Sequence, residues 1–76
     1  MENRYEKNDG CFGVIIGLCT KGAFLILDNG EEAFSYDMVN LSVGTRVLCT
    51  VSRLATENLL MRVKFDSVVR YAPISA

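Results

Sequence analysis

Short apolar runs, separated by turns that contain glycine or asparagine, extend over most of this chain, a pattern typical of a small antiparallel sheet. Asp28-Asn29-Gly30 predicts a tight hairpin, because asparagine and glycine tolerate the positive φ of such turns. Ser67–Tyr71 allows the last strand to continue. The runs predict five strands, Cys11–Leu18, Ala23–Leu27, Glu31–Tyr36, Thr45–Leu54 and Leu59–Phe65.

The connection between the third and fourth strands is expected to hold one short helical turn. Asp37 can cap a turn over Met38–Leu41, since a short side-chain oxygen accepts hydrogen bonds from the next backbone amides. Gly13 and Gly17 permit a bend or bulge in the first strand, which is apolar on both faces. Five strands with this connection predict an all-β, antiparallel Greek-key barrel.

Strand alternation divides the apolar residues into an inner and an outer set. The outer set forms an apolar stripe of Phe12, Val14, Ile16, Phe24 and Ile26. Tyr36 ends its strand beside Asp37, and the pattern leaves both a core and a surface position open for it. The expected core is Ile15, Leu18, Ala23, Leu25, Leu27, Phe34, Val47, Cys49, Val51, Leu59, Met61, Val63 and Phe65.

Length and composition favour one folded domain. The 76 residues are 50% hydrophobic, which argues against disorder. We expect a barrel domain over residues 10–71, a flexible lead over residues 1–9 and a tail over residues 72–76. No apolar run approaches the length of a membrane span, so no membrane association is expected.

Charge and residue usage restrict the chemistry. The net charge of −1 argues against tight, sequence-blind binding of nucleic acid, although a local basic patch is compatible with it. Histidine and tryptophan are absent, which excludes imidazole zinc ligands and histidine-based triads. Cys11, Cys19 and Cys49 form no Cys-x-x-Cys pair and predict reduced, buried thiols in a cytoplasmic protein.

The acidic residues do not predict an active site. Asp28 and the Glu31-Glu32 pair flank a turn, with no histidine, no second acidic cluster and no glycine-rich phosphate loop. Solvated turn charge explains them, and no nucleophile–base pair is evident. We therefore expect no catalysis, no metal and no cofactor.

Two spaced motifs resemble the S1 domain, an RNA-binding branch of the oligonucleotide-binding (OB) fold. The first is Gly13-x-Ile15-x-x-Leu18 followed by Gly22-Ala23-Phe24-Leu25, and the second is Val43-Gly44-Thr45-Arg46-Val47. The resemblance covers roughly Gly10–Phe65 and implies a five-stranded OB-fold barrel that binds single-stranded RNA on one outer face.

The match is poorer at the binding positions that the resemblance implies. Phe24 keeps the family aromatic, whereas Lys21 stands where another aromatic is usual and Ser35 stands where a histidine is usual. The family's aspartate and arginine fall at Ala55 and at Asn58 or Leu59. One of five positions is thus kept in type, and a fold alone does not establish a function.

Two functions follow from these patterns. The first is weak, non-catalytic binding of single-stranded RNA, with a base stacked on outward Phe24 and the strand contacted by charged or polar neighbours. The second is a protein-interaction or adaptor module, or a homodimer, that uses the apolar stripe. The candidate nucleic-acid contacts are Lys21, Phe24, Ser35, Tyr36, Arg62 and Lys64.

Overall fold

A computed structural model describes residues 4–37 and 41–72 of the chain. The strands form a closed all-β barrel in the order β1-β2-β3-β5-β4, so the prediction of a five-stranded all-β barrel is confirmed. The strands are β1 (Gly10–Cys19), β2 (Gly22–Leu27), β3 (Glu32–Ser35), β4 (Arg46–Arg53) and β5 (Met61–Arg70).

One strand pairing and one connection differ from the prediction. The β3 and β5 strands pair in parallel, with Ala33 opposite Met61 and Phe34 opposite Arg62, whereas the other pairs are antiparallel. The antiparallel-only prediction is therefore wrong. The helical turn expected over residues 38–41 falls mainly on 38–40, outside the described residues, and no helix occurs in the part that the structure describes.

A β-bulge bends β1 where the sequence allows it. Ile15 pairs with Leu25 and Gly17 pairs with Phe24, so Ile16 is the extra residue. A bulge increases local twist and turns a strand, which lets β1 pair with both β2 and β4. The pairing with β4 runs only from Gly10 to Val14, so the end of β1 pairs with β2 alone.

Small and medium side chains fill the barrel. Strict alternation along β2 and β4 places every second residue inside, as predicted. Cys11 and Ala33 add to the predicted core, and Phe65 is only partly buried against it. The buried apolar residues are Cys11, Ile15, Ala23, Leu25, Leu27, Ala33, Val47, Cys49, Val51, Met61 and Val63.

Three residues expected in the core lie outside it. Leu18 is 52% exposed, because it lies on the end of β1 that pairs with β2 alone. Phe34 lies on the outer face of β3, because small Ala33 and Ser35 take the inner positions. Leu59 is exposed because β5 begins two residues later, at Met61.

The described part of the N-terminal lead contacts the barrel. Tyr5 packs against the core. The Asn8 N–H donates to the carbonyl of Val51 at 2.8 Å, and the Val51 N–H donates to the carbonyl of Asp9 at 2.9 Å. These hydrogen bonds attach the lead to β4.

No helix in the described residues is long and apolar enough to cross a membrane.

The cysteines divide into a buried pair and one exposed thiol. Cys11 and Cys49 face each other across β1 and β4, with their sulfur atoms 3.6 Å apart. Burial raises the pKa of both thiols above the ordinary range, so the uncharged form is favoured. Cys19 is exposed at the end of β1, so its predicted burial is wrong.

The core assignment predicts different costs for two leucine truncations. Leu25→Ala empties a fully buried position and should lower the free energy of unfolding by about 2–5 kcal/mol. Leu18→Ala, the matched control, should change it by less than about 0.5 kcal/mol. Urea denaturation measures both. Equal losses in the two variants would contradict the assignment.

The thiol environments predict selective labelling. With a disulfide reagent at mildly alkaline pH, Cys19 should react quickly, and Cys11 and Cys49 should react only as the protein unfolds. Because unfolded thiols ionise near pH 8.5, the unfolded state binds fewer protons above that pH, and the stability of the folded state should decline there. Cys19→Ser should abolish the fast phase. Rapid labelling that persists in that variant would contradict the buried pair.

Candidate nucleic-acid interface

Three aromatic rings follow one another across the outer face of β2 and β3. Phe24 pairs with Phe34 across the strands, and Tyr36 is two residues further on the same side. Ring centroids are 4.8 Å apart in both the Phe24–Phe34 and the Phe34–Tyr36 contacts, with interplanar angles of 64° and 79°. We call these three residues the aromatic ladder. Phe24 and Tyr36 are 37% and 52% exposed, so the ladder is accessible to a ligand.

The β2–β3 hairpin sets the register of the ladder. The Leu27 N–H donates to the carbonyl of Glu31 at 2.9 Å, and the Gly30 N–H donates to the carbonyl of Leu27 at 2.8 Å. Gly30 has φ +89°, a conformation that glycine adopts without steric cost. The Asn29 side chain accepts the Glu31 N–H at 2.9 Å. The turn predicted from the sequence therefore brings Phe24 opposite Phe34.

Gly22 allows the start of β2 to approach the end of β3 closely. A Cβ atom at this position would overlap the carbonyl oxygen of Ser35 and lie 3.1 Å from Cζ of Phe34. No side chain fits there without a shift of backbone. Glycine is thus required where the Phe34 ring lies over the strand.

Two arginines lie beside the ladder. The parallel pairing of β3 with β5 places Arg62 next to Phe34, and the Arg62 guanidinium carbon lies 4.5 Å from the centroid of the Tyr36 ring. Arg53 is the cross-strand partner of Arg62 on β4. Its Nη2 donates to the carbonyl of Leu60 at 3.2 Å.

The loop between β4 and β5 forms the opposite wall of a cleft. Thr56 shapes this loop, because its Oγ1 accepts the N–H groups of Asn58 and Leu59 at 3.3 and 3.1 Å. The cleft has a volume of about 210 Å³. Its lining is the aromatic ladder together with Arg53, Asn58, Leu59, Leu60 and Arg62.

The cleft is positively charged, although the whole chain carries a net charge of −1. Among the residues that the structure describes, its lining contains two arginines and no carboxylate. The Nε atoms of Arg53 and Arg62 are buried and have no hydrogen-bond partner among the described residues. Elsewhere, Arg46 is compensated by Asp28 at 2.8 Å. The arrangement suits an anion that carries flat, apolar groups.

The structure brings together three of the six sequence-predicted site residues. Phe24, Tyr36 and Arg62 line the cleft. Ser35 is fully buried, and its Oγ accepts the Asp37 N–H at 3.2 Å, so it cannot contact a ligand on this face. Lys21 and Lys64 are exposed but do not line the cleft.

The two lysines flank the cleft. Lys64 follows Arg62 by two residues and shares the outer side of β5. Lys21 precedes β2, at the end where that strand meets the end of β3. Both are therefore at the margin of the cleft, where a longer strand could reach them.

Sequence reasoning missed Phe34 and Arg53. A signal for Phe34 was present, because the hairpin pairs it with outward Phe24 and because small residues flank it on β3. Arg53 gave no such signal, since its position opposite Arg62 depends on an irregularity in the β4–β5 register after Val51.

Comparisons and metal chemistry identify no further site. No protein-family model matches the chain, and no curated protein matches its sequence. Within residues 4–37 and 41–72, no three His, Cys, Asp or Glu side chains are grouped as metal ligands.

The close approach at Gly22 predicts a substitution effect. Gly22→Ala should destabilise the barrel and disturb the ladder, because the new methyl group overlaps the backbone of Ser35. Gly10→Ala is the matched control, since a Cβ atom there meets nothing within 4 Å. Thermal melts and the ring resonances of Phe34 and Tyr36 report both effects. Identical melts and spectra for the two variants would refute the steric requirement.

Proposed function

We propose that this chain binds single-stranded RNA weakly and without catalysis, as an OB-fold barrel of the S1 type. The single observation that supports this most strongly is the aromatic ladder beside two arginines that have no acidic partner within residues 4–37 and 41–72. Aromatic rings stack on unpaired bases, and guanidinium groups bind phosphates or lie on base planes.

The barrel topology agrees with this proposal. Five strands close in the order β1-β2-β3-β5-β4, and the cleft lies between the outer face of β2–β3 and the β4–β5 loop. OB-type barrels bind oligonucleotides on the face of strands 2 and 3, between two loops of which the β4–β5 loop is one. The S1 resemblance of the first strands points to the same face.

The charge distribution predicts the strength of binding. Because the net charge is −1, long-range attraction to a strand is small, and affinity depends on the cleft and on Lys21 and Lys64 at its margin. Binding should therefore be modest and should fall as salt rises.

Fluorescence anisotropy with labelled single-stranded RNA, at low and at physiological salt, tests the proposal. Phe24→Ala should weaken binding by about 1–3 kcal/mol, the value of one base stacked on an aromatic ring. Lys64→Ala should weaken binding mainly at low salt. Phe12→Ala is the matched control, because Phe12 is an exposed aromatic on β1, outside the cleft.

Two outcomes would refute the proposed site. One is the absence of any anisotropy change at low salt. The other is binding that survives in the Phe24→Ala, Lys64→Ala double variant while its melting temperature remains that of the wild-type protein.

A second candidate function is protein interaction. Phe12 and Ile16 on β1 and Phe24 on β2 are exposed, whereas Val14 and Ile26 of the predicted stripe are half-buried. An exposed apolar surface of this kind marks protein interfaces more often than nucleic-acid faces. Sedimentation separates the two functions. Self-association of the wild-type protein that is lost in the Phe12→Ser variant would favour a protein interface. A strict monomer that binds only RNA would count against a protein interface.

A further inference from the structure

We infer that Arg53 and Arg62 together bind one phosphate group, while the aromatic ladder holds the adjoining base. This inference rests on the proposed RNA-binding function and adds Arg53, a residue outside the candidates that sequence reasoning produced. It divides the cleft into a charged subsite and a stacking subsite.

The arginine pair is unfavourable in the free protein. Like charges directly opposite each other on neighbouring strands are destabilising, and Arg53 and Arg62 are such a pair. Each also has a buried Nε without a hydrogen-bond partner among the described residues. An anion beside the two guanidinium groups would convert the repulsion into attraction and supply acceptors to their Nη–H groups.

Both guanidinium groups keep N–H donors that no protein acceptor occupies among the described residues. Arg62 lies over the Tyr36 ring, which covers one face of its guanidinium plane, and its Nη groups donate to no acceptor among the described residues. Arg53 uses Nη2 for the carbonyl of Leu60, which leaves other N–H groups of its five donors. Two guanidinium groups that line one cleft offer donors for the several oxygen acceptors of a phosphate.

The choice between a phosphate and a base edge follows from charge. Arginine can also bind guanine through a bidentate contact to its edge. A neutral base edge would leave two positive charges uncompensated in a cleft whose other walls include Leu59, Leu60 and aromatic rings. A phosphate compensates at least one charge, so it is the favoured ligand.

Salt dependence distinguishes the two subsites. For single strands, the logarithm of the association constant changes with the logarithm of salt concentration by a slope of about −0.7 for each neutralised phosphate. The Arg53→Gln, Arg62→Gln double variant should therefore lose about 0.7 of the slope and bind at least about tenfold more weakly at low salt. Phe24→Ala should weaken binding at an unchanged slope.

Arg70→Gln is the control for a lost charge. Arg70 is exposed at the opposite end of β5 from Arg62. The Arg70→Gln variant should therefore keep the RNA affinity and the salt slope of the wild-type protein. Arg53→Gln should remain folded in the absence of RNA, because removal of the like-charge pair offsets the lost hydrogen bond to Leu60. A wild-type slope in the double variant, with RNA still bound, would overturn the phosphate subsite and leave the proposed function standing.

A second measurement uses the wild-type protein alone. The Nε–Hε resonances of Arg53 and Arg62 should shift on titration with inorganic phosphate and with uridine 5′-monophosphate, but not with uridine. If an RNA oligonucleotide with hydroxyl groups at both ends also shifts these resonances, the bound phosphate is an internal phosphodiester. If inorganic phosphate and the nucleotide shift the resonances but this RNA does not, the bound phosphate is one at a phosphorylated end of the strand.

The remaining outcomes overturn the inference. Equal shifts with uridine and its monophosphate would indicate a base edge rather than a phosphate. Unchanged Nε–Hε resonances while RNA binds through Phe24 would refute the phosphate subsite alone. Unchanged resonances together with no RNA binding at low salt would refute both the subsite and the proposed function.

Discussion

The parallel pairing of β3 with β5 is the constraint on which the rest of the structure depends. It consists of only two residue pairs, Ala33 with Met61 and Phe34 with Arg62, yet it closes the barrel. Beyond the end of β3, the Asp37 carboxylate accepts the Phe65 N–H at 2.8 Å and continues the connection between the strands. The same pairing that completes the core therefore places an arginine beside an aromatic ring on the outside.

The short β3 strand also explains why the aromatic ladder is external. Ala33 and Ser35 are fully buried and fill the inner positions of this strand with small side chains. Alternation then directs the intervening Phe34 outward, and Tyr36 follows on the same side. Edge-to-face aromatic contacts of this type stabilise by about 0.5–1.5 kcal/mol each beyond the area that they bury. The rings thus stabilise the outer face and remain exposed enough to bind a ligand.

Most strands and turns could be predicted from local pattern, because alternation and turn chemistry act over a few residues. The Asp28-Asn29-Gly30 hairpin and the inner residues of β2 and β4 are examples. Positions that depend on distant strands could not be predicted in the same way. Leu18 lies in an apolar run that predicts burial. It is exposed because β4 stops pairing with β1 before this position.

The candidate site was predictable only in part for the same reason. Phe24 could be placed outside from its own strand, whereas Arg53 enters the site through a register irregularity between β4 and β5. The weakly acidic composition gave no indication of a cleft whose described lining contains two arginines and no carboxylate. Net charge averages over the surface, while recognition depends on which charges the fold brings together.

The most direct test of the central claim is the measurement of intermolecular nuclear Overhauser effects between single-stranded RNA and the aromatic rings. The account predicts contacts from base protons to the rings of Phe24, Phe34 and Tyr36, and none to Phe12 on β1. Contacts to Phe12 and Ile16 without any to the ladder would contradict it.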